Sequence, residues 1–147
     1  MGRTDGVDQA RTLAELTGLP YHAFGKFMDY RGGQYGMAAL SATRLLDSVT
    51  YVLPDGEEPR SALAVRIRPR PTMPELVFVG IHFYRTEPER LAQAHFTFPA
   101  DKPAREIDFV LYRPADRIEL IEYRVVDERL ASDHRPVLAV IVVKRER

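Results

Sequence analysis

The stretch "ASDHRPVLAVIVV", residues 131–143, sets Asp133 and His134 side by side ahead of a proline and an apolar β-type run. Such a pair is either a turn that leads into a strand or the acid–base end of an active site. Two further polar residues hold comparable places. His82 closes the apolar run "LVFVGIH", and Asp108 opens "IDFVLY", where a charge sits among Ile107, Phe109 and Val110. Strand ends suit chemistry because the strand fixes position while the adjoining loop leaves the group accessible. An Asp facing a His holds the imidazole in one tautomer and raises its basicity, which a general base needs. The other reading open for Asp108 is an ion pair with Arg105 or Arg113, each His then only closing a turn.

The elements that must position these residues are legible in the pattern. "TDGVDQARTLAELTG" predicts a helix with Thr4 or Asp5 as N-cap, an apolar stripe through Val7, Ala10, Leu13, Ala14 and Leu16, and Gly18 as its stop. After it the period changes to two. "YHAFGKFMDY", "YGMAALSA", "DSVTYVLP", "RSALAVRIRP" and "ELVFVGIHFY" are successive strands, separated by "RGG", "PDGEEP" and "RPRPTMP". "PDGEEP" carries the strongest hairpin chemistry. "RTEPERLAQAH" reads as a short helix, with Thr86 and Glu89 at capping-box spacing and Pro88 in the first turn. "FTFPADKPARE" is an irregular loop, and "IDFVLYRP", "RIELIEYRVVD" and "PVLAVIVVKR" are the closing strands. The result is an α+β chain dominated by antiparallel sheet, a single domain over residues 1–147. Two packed sheets are expected, with the Thr4 to Gly18 helix on one outer face and "ELVFVGI" buried on both sides.

Composition narrows the function classes. At 147 residues with 45% apolar side chains, the chain can fill a real core. Its formal net charge is zero, so no overall positive field draws in nucleic acid or an anionic membrane. There is no Cys, which removes disulfides, thiolate metal sites and cysteine nucleophiles. No apolar run reaches the roughly 18 residues of a membrane span, and the opening "MGRTDGVDQA" has no signal-peptide stretch, so a cytoplasmic location is expected.

"REIDFVLYRP" followed some two dozen residues later by "ASDHRPV" resembles the C-terminal signature of the endonuclease/exonuclease/phosphatase superfamily, the metal-dependent phosphoesterases related to DNase I. "GGQYGMAALS" is similar to that family's Tyr-Gly, small-residue, Leu-Ser strand, "LVFVGIH" to its Thr-His strand, and "ERLAQA" to the helix that follows. The resemblance covers nearly the whole chain. It implies a DNase I-like two-sheet β-sandwich flanked by helices, in truncated form. It also implies that His134 acts as base or phosphate contact, that Asp108 orients it, that His82 contacts the scissile phosphate, and that Asp133 lies near the metal or the attacking water. The family's N-terminal strands, which supply an Asn and a Glu to Mg2+ or Mn2+, have no counterpart here, and neither does its Gly-Asp-Phe-Asn strand. The chain contains no Asn at all. Asp108 and Asp133 are the metal ligands left, too few to hold Mg2+ or Mn2+ tightly without substrate phosphates.

Three readings follow from the resemblance and its departures. One is a shortened phosphoester hydrolase acting on a phosphate-containing substrate of unknown identity, with impaired catalysis in the isolated chain. The second is a non-catalytic remnant that serves as a binding or structural module. The third is a fragment without a selected activity. A lost central strand leaves a sheet edge unpaired, and homodimerisation across such an edge is expected. Elsewhere, "YRGGQYG" lacks the Lys-Ser/Thr of a phosphate loop and reads as a tight turn. Arg66, Arg68 and Arg70 of "RIRPRP" read as a solvated face, and His22 and His95 as incidental.

Overall fold

The computed structural model describes residues 6–53, 59–82 and 95–144. Helix α1 spans Gln9–Thr17 and is followed by β1 Tyr21–Tyr30, β2 Gly33–Ser41, β3 Leu45–Val52 and β4 Ser61–Ile67. Then come β5 Leu76–His82, β6 Asp108–Arg113, β7 Ile118–Val125 and β8 Val137–Val143. Every strand pairing is antiparallel. The fold is therefore α+β with antiparallel sheet dominant. The second predicted helix, over "RTEPERLAQAH", lies outside the described residues apart from His95, as does most of the "PDGEEP" turn.

Helix α1 starts later than its sequence predicts. Thr4 and Asp5 lie outside the described residues, and the cap is Asp8, whose Oδ1 accepts the Arg11 N–H at 3.1 Å. A carboxylate on that early amide satisfies a donor that has no partner within the helix. Gly18 ends the helix as expected, in the left-handed region at φ 67°, its N–H turned back to the carbonyls of Ala14 and Glu15. The buried stripe is narrower than expected. Ala10 and Ala14 are buried, whereas Leu13 and Leu16 are exposed and Val7 precedes the helix. Two alanines on the inner face let α1 lie close to β1 and β2, and the leucines fall on the outer side.

The sequence predicts two packed sheets; among the described residues hydrogen bonding divides the strands into three. β1 pairs only with β2, strands β3–β4–β5–β6 form a four-stranded sheet in chain order, and β7 pairs with β8. The β1–β2 hairpin turns through Arg31 and Gly32, both at positive φ (50° and 82°), the signature of a tight hairpin turn. That hairpin lies against the four-stranded sheet. Its approach is close at Gly25, where a Cβ would meet Thr50 Oγ1 at 2.5 Å and Leu63 Cδ1 at 3.2 Å.

Double burial falls on β4 and not on β5 as expected. Ser61, Ala62, Leu63 and Val65 of β4 are buried, so both faces of this inner strand are covered. In β5 Leu76 is buried at 1% exposure, while Val77, Phe78, Val79, Gly80 and Ile81 are half-buried. Small side chains in β4 admit the hairpin closely. The more uniformly apolar text of β5 does not determine which strand is covered twice.

Candidate functional site

The β5–β6 ladder fixes the first half of the site. Asp108 is the first residue of β6 and stands opposite His82, the last residue of β5. Ala62 of β4 pairs with Ile81, so the polar ends of β4, β5 and β6 gather at one end of the sheet. The direction of the His82 side chain lies outside what the structure describes.

His134 arrives from a separate turn, held in place by the loop over residues 96–106. The Ser132 hydroxyl accepts the His134 N–H at 3.1 Å. Ala100 N–H donates to the Asp133 carbonyl at 2.8 Å, and Arg135 N–H donates to the Thr97 carbonyl at 2.7 Å. Arg135 Nε adds a bond to the Ala100 carbonyl at 2.7 Å. The loop itself is folded back through the Phe98–Arg105 bridge, and buried Thr97 accepts the Ile107 N–H on its Oγ1 at 3.3 Å. The text that reads as an irregular loop is thus a bracket, tied on one side to the start of β6 and on the other to the turn that carries His134. Backbone groups that would otherwise be costly to bury are satisfied by this cross-linking.

Together these elements bring His134 Nδ1 to 2.8 Å from Asp108 Oδ2. Of the partners weighed for Asp108 in the sequence, His134 is one that it meets. Both side chains are partly buried, and Phe98 packs its ring against the imidazole with centroids 4.9 Å apart. The Asp108 hydrogen bond raises the His134 pKa above its ordinary value; burial opposes this, the charges of Asp108 and Asp133 add to it, and Arg60 reduces it. A carboxylate accepting from Nδ1 leaves Nε2 as the nitrogen for proton transfer.

The dyad opens on a cleft of about 350 Å³ lined by Phe27, Tyr35, Gly36, Met37, Asp108, Ser132, Asp133 and His134. Asp133 is exposed on its rim, 3.4 Å from the Ser132 hydroxyl. Three of the four predicted site residues, Asp108, Asp133 and His134, therefore share one cleft, and the fourth, His82, sits opposite Asp108 in the ladder. The aromatic lining, Phe27 and Tyr35, has no signal in the sequence beyond its strand alternation.

A divalent cation needs several oxygen ligands gathered at one point. Among the described residues no group of three His, Cys, Asp or Glu side chains gathers to hold a metal. One Asp108 oxygen is engaged by the imidazole, which leaves the two expected carboxylates well short of the six oxygen ligands that Mg2+ demands. The described residues do not fit a resident Mg2+ or Mn2+.

A second acid–base cluster escaped the sequence reading. Buried Glu106 lies 3.5 Å from the Tyr123 hydroxyl and 3.9 Å from His95 Nδ1, and the His95 and Tyr123 rings meet edge to face at 5.1 Å. Burial, then the Glu106 charge and hydrogen bond, push the Tyr123 pKa up, so this hydroxyl stays protonated and donates to the carboxylate. In the basic stripe, Arg66 pairs with Asp47 and Glu75, and Arg68 with Glu75 at 2.7 Å.

Compared with family models, curated proteins and solved structures, the chain matches none.

Proposed function

We propose that the chain is a shortened phosphoester hydrolase of the endonuclease/exonuclease/phosphatase type, with a DNase I-like arrangement of its sheets and impaired turnover in the isolated chain. The observation that supports this reading is the 2.8 Å contact between His134 and Asp108, which joins the two motifs on which the resemblance rests. In hydrolysis, water attacks phosphorus, His134 Nε2 takes its proton, and the ester P–O bond breaks, the leaving oxygen being protonated from solvent. Asp108 stabilises the imidazolium that forms. His82 and Asp133 are the other groups at this end of the sheet, as a phosphate contact and as a polar group near the attacking water.

Turnover is limited by charge. Asp108 and Asp133 repel a phosphate dianion, and a dyad alone cannot replace the several kcal/mol that a metal supplies to such chemistry. That shortfall of ligands favours a second reading, a non-catalytic module that binds a phosphate-containing ligand. With no Cys in the chain and no long apolar helix among the described residues, we place either form in the cytoplasm. Assembly as a homodimer through an open sheet edge belongs to both readings.

Hydrolysis of bis-p-nitrophenyl phosphate with Mg2+ and with Mn2+ tests the proposal. The expected result is little or no turnover by the monomer, with any residual rate falling equally in His134→Ala and Asp108→Ala because the two act as one unit. A residual rate untouched by both substitutions rules out the dyad as its source. Rates ordinary for a metal-dependent phosphodiesterase at monomer dilution would refute the impairment.

A further inference from the structure

The cleft has an apolar wall that the hydrolytic reading does not use. Phe27 and Tyr35 form it, their ring centroids 5.0 Å apart and their planes at 60°. Phe27 reaches this place through an irregularity in β1. Lys26 pairs with Gly36 and Met28 with the neighbouring Tyr35, so Phe27 is an extra residue with no partner in β2. A bulge of this kind re-aims a side chain, and bulges concentrate beside binding and catalytic sites. Gly36, the ladder partner of Lys26, lines the same cleft.

Two walls of different chemistry thus face one small volume. The polar wall is Asp108, Ser132, Asp133 and His134; the aromatic wall is Phe27 and Tyr35 with Met37 beside them. About 350 Å³ is the size of a site for one small molecule. A polymer would need a longer groove and a positive field, and the chain has a net charge of zero. With two carboxylates beside it, a phosphate gains little from electrostatics here, so the remainder of the ligand must carry the affinity. Rigid rings at the wall suit a flat partner, because stacking requires a π-face and little ordering of the site.

We propose that Phe27 and Tyr35 are specificity-determining residues that select phosphoesters carrying a single flat ring, an aryl or nucleoside phosphate, with the ring on the aromatic wall and the phosphate at His134. This rests on the phosphoester reading of the dyad. The ring wall is a property of the β1 bulge, while the phosphate end is a property of the β6 and β8 strand ends.

Titration calorimetry with four probes separates the two claims: adenosine 5′-monophosphate, phenyl phosphate, glycerol 3-phosphate and adenosine. At least one ringed phosphate is expected to bind about tenfold more tightly than glycerol 3-phosphate, a gain typical of one stacked ring, and the tighter of the two identifies the source. Phe27→Leu and Tyr35→Leu, checked for native melting, should each reduce that preference, and His134→Ala should weaken the phosphates while leaving adenosine unchanged. Equal affinity for ringed and ringless phosphates, or a preference that survives both ring substitutions, would overturn the ring wall and leave the dyad reading intact. Adenosine binding as tightly as its phosphate, with loss in the ring variants, would uphold the wall as a ring site and sink the phosphate reading. No binding by any probe overturns both.

Discussion

In the proposed hydrolysis His134 is the base, and its protonation is open to direct measurement. The Asp108 hydrogen bond holds its pKa above the ordinary value of about 6.5. A folded-state pKa above the unfolded one means that the folded protein binds the proton more tightly. The stability this adds is fully present below the unfolded value and is lost as pH rises through the folded one. The imidazole resonances of His134 should therefore titrate with a midpoint above 6.5, and Asp108→Asn should lower it. The difference in thermal stability between wild type and Asp108→Asn is expected to be widest near pH 6 and to shrink as the pH passes the folded midpoint. A His134 midpoint at or below the ordinary value would show that the 2.8 Å contact does not persist in solution.

At the scale of elements, the site is the product of two devices, the bracket over residues 96–106 and the β1–β2 hairpin. The hairpin depends on close approach at Gly36, where a Cβ would fall on the Gly25 carbonyl oxygen of the partner strand and against the Phe24 ring. A backbone carbonyl in a ladder cannot move aside. Gly36→Ala should therefore destabilise by about 1–3 kcal/mol, the cost typical of overpacking, read as a lower urea midpoint at unchanged slope. An unchanged midpoint would mean that β1 and β2 part at Gly36 without cost. The strands and their order are legible in the sequence because period-two alternation and turn residues are local signals. Gly18 was legible for the same reason, as a helix stop. The pairing of Asp108 with His134 was legible only through motif resemblance, since a contact across 26 residues has no local signature. The Phe27 bulge, the double burial of β4 and the Glu106 cluster were not legible, because each is set by which surfaces meet after the strands have formed.

For the whole molecule, β8 is the strand whose composition and surroundings disagree. Its seven residues, Val137–Val143, are all apolar, a composition that belongs to a strand covered on both faces and paired on both edges. Among the described residues β7 is its one partner in the ladder, and Val140 and Val142 are 40% and 48% exposed. None of the usual guards stands within the strand: no lysine, no proline and no bulge, the irregularity of this sheet lying in β7 between Leu120 and Glu122. A second copy is the partner that fits most simply. Antiparallel pairing of β8 with itself about a two-fold axis is self-complementary, and between Pro136 and Lys144 no charge exists to oppose it. The two-stranded β7–β8 sheet, marginal alone, would become the half of a four-stranded one. Sedimentation of the wild-type chain should then show a concentration-dependent monomer–dimer equilibrium. Val140→Lys, which places a charge at an already exposed position in the middle of the strand, should give a monomer with unchanged melting at high dilution. A wild-type chain that stays monomeric at millimolar concentration, or a Val140→Lys variant that still dimerises, would remove β8 as the self-association edge and leave it as a surface for a different protein.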